Sequence, residues 1–330
     1  LHADMGKNCE EQWLPSAVTR TFFMVPKLIA LDWGTSNLRA SLLDASGHSI
    51  EQRQSAMGVM KVSPGKFSSL LIDLCGDWMQ SHHLPMIASG MVGSRQGWKE
   101  APYLNCPANL QQAANHLTEV EFSDSVVGKH RVYIAPGLKC IDAFRQTDVM
   151  RGEETQIWGA QLKPFAVCVL PGTHSKWVWL DASGDLQNFK TFMTGEMYAL
   201  LIQHSILGRL MEISQTPTPL KADVFASGVS LGLSGHAEVL HTLFAARTAG
   251  LMAQLRADEL PDFLSGILIG AEIGSASLHS IALVHLLGEG GLCARYAQAF
   301  QHQGISVVQV GEDATTKGQW LLAQAAGLLN

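Results

Sequence analysis

The chain has little positive charge and no concentration of it. Its 23 Lys and Arg residues are outnumbered by 29 Asp and Glu residues, which gives a formal net charge of −6 at pH 7. No block of five or more basic residues occurs. Because a nucleic-acid-binding surface needs a basic patch to neutralise phosphates, we expect no nucleic-acid partner, while small anionic substrates remain compatible with local binding sites.

Cysteine clusters and long apolar runs are also missing. The six cysteines are scattered, with no C-x-x-C pair and no His at metal-ligand spacing, so we expect reduced, buried thiols in a cytoplasmic protein. The most apolar stretch, residues 267–287, is interrupted by Glu272, His279 and His285. We therefore expect no membrane span. With 47% hydrophobic residues over 330 positions, the chain can build two domains with cores.

The first two dozen residues differ in composition from the rest. They are polar and mixed in charge up to Phe22, and a strand pattern begins directly after Met24, a candidate natural start. A secretory signal would need a basic start, a longer apolar run and a small-residue cleavage site, none of which is present. We predict an extension over residues 1–25, a first domain over 26–150 and a second over 151–330.

The most informative feature of the sequence is a motif that occurs twice. Residues 31–36 (LDWGTS) run on to Asp-Ala-Ser-Gly at 44–47, and residues 170–175 (LPGTHS) run on to the same four residues at 181–184. Each copy predicts a strand, a Gly-Thr turn, a second strand and a tight turn into a third. The repeat indicates two related halves that face one ligand across a cleft.

The two Gly-Thr turns are candidate phosphate sites. Glycine lets the backbone approach an anion, successive N–H groups form a concave donor nest, and hydroxyls add donors. Asp32 precedes the first turn, where a carboxylate can hold a hydrated Mg²⁺ that bridges phosphate oxygens. The second copy has Pro171 at that place, so the halves are not equivalent. One such turn alone is usually an ordinary β-turn, but two matched copies favour phosphate binding.

A glycine-rich loop follows the strand predicted at 86–88. It begins at Ser89 and continues through Trp98 to Tyr103 with few apolar anchors. Long loops beside strand ends often contact substrates, although a plain surface loop is an equally good interpretation.

A helix predicted to begin near Arg151 has two carboxylates in its first turn. Glu153 and Glu154 would be stabilised there by the helix dipole, and either is also placed to take a proton from a substrate hydroxyl. Arg151 has the donor fork that clamps a substrate carboxylate, or it forms an ion pair with Glu154.

The C-terminal part contains a strand at 281–287, the glycines of 288–291 and a helix at 292–301, an order that can seat a nucleotide against a helix N-terminus. Small residues in the helix predicted at 261–277 favour close packing over ligand approach. Further helices are predicted over 64–81, 150–162, 195–211, 237–255 and 318–329.

These segments resemble, in the same order, the motifs of the superfamily of actin, sugar kinases and heat-shock chaperones. Residues 32–37 (DWGTSN) resemble its first phosphate motif, 172–175 (GTHS) its second, and 288–291 its adenosine motif. The resemblance extends over nearly the whole chain from Lys27 onward. It implies an actin-like ATPase fold of class α/β, with two ribonuclease H-like lobes, mixed central sheets flanked by helices, and ATP in the interlobe cleft.

Within this superfamily the chain is similar to the 2-dehydro-3-deoxygalactonokinase family. The similar phrases are 88–94 (ASGMVGS), 149–156 (VMRGEETQ), 171–174 (PGTH) and 263–267 (FLSGI). The resemblance implies Mg²⁺-dependent transfer of the ATP γ-phosphoryl group to the terminal C6 hydroxyl of 2-dehydro-3-deoxy-D-galactonate, a step of galactonate catabolism. A homodimer is the expected assembly on base rates alone. A kinase of another sugar and a nucleotide-switched binding or filament protein remain the alternatives.

The resemblance also implies roles for single residues. Related kinases carry a Gly-Asp pair whose Asp is the base; Gly152-Glu153 stands there, so Glu153 ranks before Glu154, with Asp142 and Asp148 as outside candidates. His174 either donates to phosphate or is packed. The predicted ATP contacts are Gly34, Thr35, Ser36, Asn37, Gly172, Thr173, His174, Gly288, Gly290 and Gly291; the predicted substrate contacts are Ser89, Gly90, Met91, Val92, Gly93, Trp98 and Tyr103, with Arg151 beside the base and Asp32 on the metal.

Overall fold

The computed structural model of the protein describes residues 25–142, 144–214, 216, 218–276 and 281–329. The extension predicted at 1–25 therefore lies outside the described residues except for Val25, and so does the last residue of the helix predicted at 261–277. No described helix combines the length and apolar character needed to cross a bilayer.

The described residues form fourteen strands and ten α-helices, with five of the helices in succession between β12 and β13. The strands are β1 (Pro26–Trp33), β2 (Leu38–Asp44), β3 (Ser49–Ser55), β4 (Met86–Ser89), β5 (Tyr103–Asn105), β6 (Thr118–Asp124), β7 (Gly128–Ile134), β8 (Gly137–Ile141), β9 (Thr147–Met150), β10 (Val167–Leu170), β11 (Ser175–Leu180), β12 (Leu186–Phe192), β13 (Leu283–Leu286) and β14 (Ser306–Gln309). The α-helices are α1 (Phe67–Ser81), α2 (Leu110–Ala114), α3 (Glu153–Ala160), α4 (Thr194–His204), α5 (Ala222–Ser234), α6 (Val239–Thr242), α7 (Ala245–Leu251), α8 (Leu260–Ser275), α9 (Gly290–His302) and α10 (Ala314–Ala325).

Two of the sheets share one topology. The first has the strand order β3-β2-β1-β4-β7-β6, and the second has the order β12-β11-β10-β13-β14. In both, three antiparallel strands are extended by two parallel ones, and in the first sheet β6 adds a sixth strand antiparallel to β7. This is the order of a ribonuclease H-like sheet, so the predicted α/β class with two such mixed sheets flanked by helices, as in the actin-like ATPase fold, is confirmed. A small sheet, β5-β8-β9, completes the fold.

Strand β1 is buried on both faces because a helix covers each. The side chains of Ile29, Leu31 and Trp33 point into a core formed with α1, which buries Phe67, Leu71 and Trp78 there. The alternate side chains of Leu28 and Ala30 point the other way, into a core shared with α10. The last helix of the predicted second domain therefore packs against the first sheet.

Several helices differ from the prediction. The stretch predicted as one helix over 237–255 contains α6 and α7, because i→i+3 hydrogen bonds around Phe244 interrupt the α-helical pattern. The helix predicted over 195–211 ends at His204 as α4. Helix α5 was not predicted, because Gly228 and Gly232 lower its intrinsic helix propensity.

The glycines of α5 allow this helix to pack closely against α8. A Cβ atom at Gly228 or Gly232 would lie 2.3 or 2.1 Å from a carbonyl oxygen of α8, and a Cβ atom at Gly266 or Gly270 would lie 2.3 Å from a carbonyl oxygen of α5. Glycine at all four positions lets the two backbones touch. The predicted packing role of the small residues of α8 is confirmed.

Helices α3 and α10 cross in the same way. A Cβ atom at Gly159 would lie 1.9 Å from the Ala314 carbonyl oxygen, and one at Gly318 would lie 1.9 Å from the Thr155 carbonyl oxygen. The crossing fixes the position of α3, whose first residue is Glu153, relative to the first sheet.

Candidate active site

The ends of β1 and β4 meet the start of α3. Asp32 of β1 is paired in register with Ser89 of β4. Gly90 follows with φ +93°, and a Cβ atom there would lie 2.9 Å from the Trp33 carbonyl oxygen. Gly152, with φ +109°, approaches so closely that its Cβ atom would lie 3.1 Å from the Gly90 Cα. The glycine contact brings the predicted metal ligand and the predicted base to one place.

The first Gly-Thr turn, residues 34–37, is called hairpin 1. The Gly34 N–H donates to the Asn37 carbonyl oxygen at 2.9 Å and closes the turn. The carbonyl oxygens of 34–36 accept hydrogen bonds from the backbone N–H groups of 58–60 at 3.0 to 3.3 Å. Among the described residues, the N–H groups of Thr35, Ser36 and Asn37 have no partner, and these residues are exposed. Hairpin 1 therefore presents unpaired N–H donors, while its carbonyl oxygens are fixed by hydrogen bonds to residues 58–60.

The second turn, residues 172–174, is called hairpin 2 and lies on the N-terminus of α4. The Thr173 carbonyl oxygen accepts from the Glu196 N–H at 3.0 Å, and Gly195 leaves room for it. The His174 side chain is about half exposed, and its Nε2 lies 2.5 Å from Glu196 Oε2. His174 is thus an exposed side chain held by a carboxylate, not a packed one.

Glu272 of α8 fixes the strand that follows hairpin 2. Its buried carboxylate accepts hydrogen bonds from Ser175 Oγ (2.7 Å), Trp177 Nε1 (2.7 Å), Tyr296 Oη (2.6 Å) and Thr194 Oγ1. Burial raises the pKa of Glu272, and these hydrogen bonds oppose the rise. The Glu272 carboxylate therefore connects β11, α4 and α9 to α8 through hydrogen bonds. No local sequence pattern predicts this role.

The two carboxylates at the start of α3 have different surroundings. Glu154 has no exposed surface, and both of its oxygens accept from the Gly152 N–H at 2.8 Å. The Glu153 side chain is 26% exposed; its Oε2 accepts from the Arg151 N–H at 3.1 Å, and its Oε1 lies 3.3 Å from Lys176 Nζ. Only Glu153 of the pair can face a substrate.

Burial, followed by repulsion from the neighbouring Glu153, raises the pKa of Glu154 from 4.5 to about 7. A raised carboxyl pKa stabilises the folded protein below the unfolded-state pKa, and this contribution is lost as the pH rises through 7. From pH 5 to pH 8 we expect the wild type to lose about 2 to 3 kcal/mol of unfolding free energy relative to Glu154→Gln. Urea unfolding of both proteins at the two pH values measures this difference. A difference that does not change with pH would contradict the assignment of Glu154 as a proton-binding buried group.

Arg151 is buried, and among the described residues no carboxylate lies close enough to form a salt bridge with it, although its charge lowers the pKa of the nearby Glu154. Its Nη2 donates to the Ala101 carbonyl oxygen at 2.9 Å, and its guanidinium lies 4.2 Å from the centre of the Tyr103 ring. Within the described ranges it forms no ion pair, so the alternative pairing with Glu154 is not formed. Its Nη1 is buried without a hydrogen-bond partner beside Gly93. A buried cation with an unused donor is suited to an anionic ligand.

The glycine-rich loop is largely packed. Ser89 and Val92 are buried, and the Ser89 Oγ accepts from Gln319 Nε2 at 2.8 Å. Trp98 belongs to an aromatic cluster of the first core, 6.1 Å from Phe67 and 5.4 Å from Phe122 between ring centres. Gly90 contacts Trp33 and Gly152 near Asp32, whereas Gly93 and Tyr103 contact Arg151. The substrate contacts predicted for this loop, Met91 included, stay predictions.

A cavity of about 920 Å³ opens beside Asp32. One wall is the polar face of β1, β2 and β3, and the other contains Gly288, Glu289 and the segment 311–316. Across β1 and β2, Arg39 Nη1 lies 3.4 Å from Asp32 Oδ2. Burial raises the pKa of Asp32, and Arg39 opposes the rise. Gly290 and Gly291 begin α9 in open space next to this wall.

The outside candidates have local roles. Asp142 accepts from the backbone N–H groups of Phe144 and Gln146, and Asp148 accepts from the N–H and Oγ1 of Thr191. Both carboxylates are thereby engaged in a turn and a strand contact. Lys176 and the segment 311–316 were missed because each acts through residues distant in sequence, whereas Arg39 was missed although it pairs with Asp32 across the β1–β2 hairpin, only seven positions away.

Comparison with known proteins identifies the family of the chain. The chain is 40% identical over 296 residues to the 2-dehydro-3-deoxygalactonokinase of Escherichia coli (strain K12), covering 88% of this chain and 94% of that protein. It also resembles the crystal structure of a candidate 2-dehydro-3-deoxygalactonokinase from Sinorhizobium meliloti, with 35% identity, a TM-score of 0.83, and coverage of 90% of this chain and 98% of that one. The family profile of 2-keto-3-deoxy-galactonokinase matches residues 32–322. The chain therefore belongs to the 2-keto-3-deoxy-galactonokinase family of carbohydrate kinases.

Proposed function

We propose that this protein transfers the γ-phosphoryl group of ATP to the C6 hydroxyl of 2-dehydro-3-deoxy-D-galactonate. The observation that carries the substrate class is Arg151, a buried guanidinium with an unpartnered Nη1, two residues before a carboxylate that is accessible. A sugar acid supplies both a carboxylate that Arg151 can bind and a hydroxyl that can donate its proton to Glu153. The Escherichia coli relative named for this activity supports the choice of acid.

ATP would be held by the two hairpins and by the start of α9. The free N–H groups of hairpin 1 and the exposed hydroxyls of Thr35 and Ser36 offer donors for phosphate oxygens. Hairpin 2 adds Thr173 and His174, while the adenosine would lie against Gly288, Gly290 and Gly291. Because phosphoryl transfer depends mainly on positioning and charge neutralisation, preformed donors of this kind suit the reaction.

The residues present fit a Mg²⁺ ion at Asp32. This carboxylate lines the cavity, its charged form is disfavoured by burial, and its nearest cation is Arg39 at 3.4 Å. The described residues contain no group of three or more His, Cys, Asp or Glu residues arranged to hold a metal. That agrees with Mg²⁺, which is usually bound by one or two carboxylates together with phosphates and water. When bound, the ion would neutralise charge on the phosphates.

The protein's own groups divide the remaining work. Arg151 would bind the carboxylate of the acid through Nη1; because this atom has no exposed surface, binding requires the loop that contains Gly93 to move aside. Glu153 would accept the proton of the C6 hydroxyl as that oxygen forms a bond to the γ-phosphorus and the bond from this phosphorus to the departing oxygen of ADP breaks. Glu154 is excluded from that step because its carboxylate is enclosed by Gly152 and Thr155. The assignment of the base thus rests on accessibility.

An ADP-release assay with Mg²⁺ and ATP tests the proposal. We expect turnover with 2-dehydro-3-deoxy-D-galactonate to exceed turnover with other 2-keto-3-deoxy acids, and to exceed that with neutral sugars further still, because only acids can satisfy Arg151. A preference for a neutral hexose would still identify the protein as a sugar kinase. It would contradict the proposed role of Arg151 in binding the substrate carboxylate. Absence of turnover with every acceptor would contradict the proposed activity.

A further inference from the structure

Strand β11 presents its side chains to two different surroundings. Ser175 and Trp177 point to one side, where both donate to Glu272. Since successive side chains of a strand point to opposite faces, Lys176 points to the other side. The Glu272 contacts thereby fix the direction in which Lys176 leaves the strand.

Lys176 is a buried cation with two specific partners. Its side chain is 5% exposed, and its Nζ lies 3.3 Å from Glu153 Oε1 and 3.2 Å from the His174 carbonyl oxygen. Removing an ammonium group from water is costly unless it is paired and hydrogen-bonded. The one ammonium group therefore joins hairpin 2 to the carboxylate that begins α3.

This link joins two parts of the protein that are held by different sheets. Hairpin 2 comes from the second sheet, whereas Glu153 is held against the first sheet by the contact between Gly152 and Gly90. The Glu153 carboxylate has one oxygen on the Arg151 N–H and the other toward Lys176. Without Lys176, nothing else among the described contacts holds Glu153 Oε1.

We propose that Lys176 is a positioning residue for phosphoryl transfer, which orients the Glu153 carboxylate and sets its place relative to hairpin 2. The inference rests on the proposed function, in which Glu153 receives the hydroxyl proton and hairpin 2 binds phosphates. In-line transfer needs the acceptor oxygen and the phosphorus aligned, and a misplacement of about 1 Å can cost roughly 100-fold in rate. Lys176 acts through Glu153, so its contribution appears in kcat.

A double-mutant cycle tests this role. Lys176→Met keeps the length of the side chain and removes the charge; we expect kcat to fall about 100-fold, with the KM values for ATP and for the acid within about threefold of wild type. Lys190→Met, on the neighbouring strand β12 and without an ion pair among the described residues, is the matched control and should leave kcat within about twofold. In the Glu153→Gln background, Lys176→Met should change kcat by less than about threefold.

Each other outcome identifies what fails. Full multiplication of the two kcat losses would show that Lys176 acts independently of Glu153 and would overturn the inference. A normal kcat for Lys176→Met beside an impaired Glu153→Gln would overturn it while leaving the base in place. A normal kcat for Glu153→Gln would remove the proposed base and this inference together, whereas the wild-type acceptor panel alone decides the substrate. If circular dichroism shows Lys176→Met to be unfolded, Lys176→Gln, which keeps a donor for the His174 carbonyl oxygen, takes its place in the same cycle.

Discussion

Replacing Asp32 with asparagine should lower kcat about 1000-fold, the loss expected when several kcal/mol of transition-state charge stabilisation by a metal ion are removed. The substitution preserves the shape of the side chain and removes the negative charge that the metal needs. Because burial raises the pKa of Asp32 in the folded protein, the ionised carboxylate does not contribute to stability there. The variant should therefore unfold at the same temperature as the wild type or at a higher one.

The measurement is steady-state ADP release with saturating ATP and acid, combined with thermal unfolding. Asp73→Asn, on the exposed face of α1, is a control for the loss of one negative charge and should keep the wild-type kcat. Wild-type turnover by Asp32→Asn would exclude this carboxylate as the metal ligand.

The second large effect is expected at the crossing of α3 and α10. Gly159→Ala should lower the unfolding free energy by about 3 kcal/mol, at the upper end of what overpacking costs. The added methyl group would lie 1.9 Å from the Ala314 carbonyl oxygen, and because backbone atoms cannot rotate away, the helices must separate. Separation would also pull Gln319 from the Leu31 carbonyl oxygen, which it binds at 2.7 Å, and would lower kcat.

Urea unfolding compares Gly159→Ala with Gly291→Ala. Gly291 lies in α9 with open space around it, so alanine there should keep or raise stability by up to about 1 kcal/mol through helix propensity. Equal stability of the two variants would mean that α3 and α10 can move apart at little cost.

The sequence predicted those parts of the site that depend on neighbours in the chain. The repeated Gly-Thr motif predicted the turns of hairpin 1 and hairpin 2. A glycine followed by acidic residues predicted the start of α3. The ribonuclease H-like topology followed from the order of motifs and the family resemblance.

The parts that were missed depend on distant contacts. Glu272 binds Ser175 and Trp177 of a strand almost one hundred positions earlier, and no periodicity announces this. The sequence did contain a signal for Lys176: a charged residue inside the apolar strand of residues 175–180 (SKWVWL) indicates that a partner of opposite charge is buried beside it. Its partner Glu153 could be identified only once the strand and α3 were brought together.

The packing of α10 on β1 and β4 determines when one face of the first sheet can be covered. Gln319 and Leu31 are separated by 288 positions, and Gln319 and Ser89 by 230. During synthesis, the apolar face formed by Leu28, Ala30 and Ile87 therefore waits for almost the whole chain before Leu322 and Ala323 cover it. Contacts of such sequence separation form late and slowly, so residues 26–150 made alone would expose this face and associate with other chains.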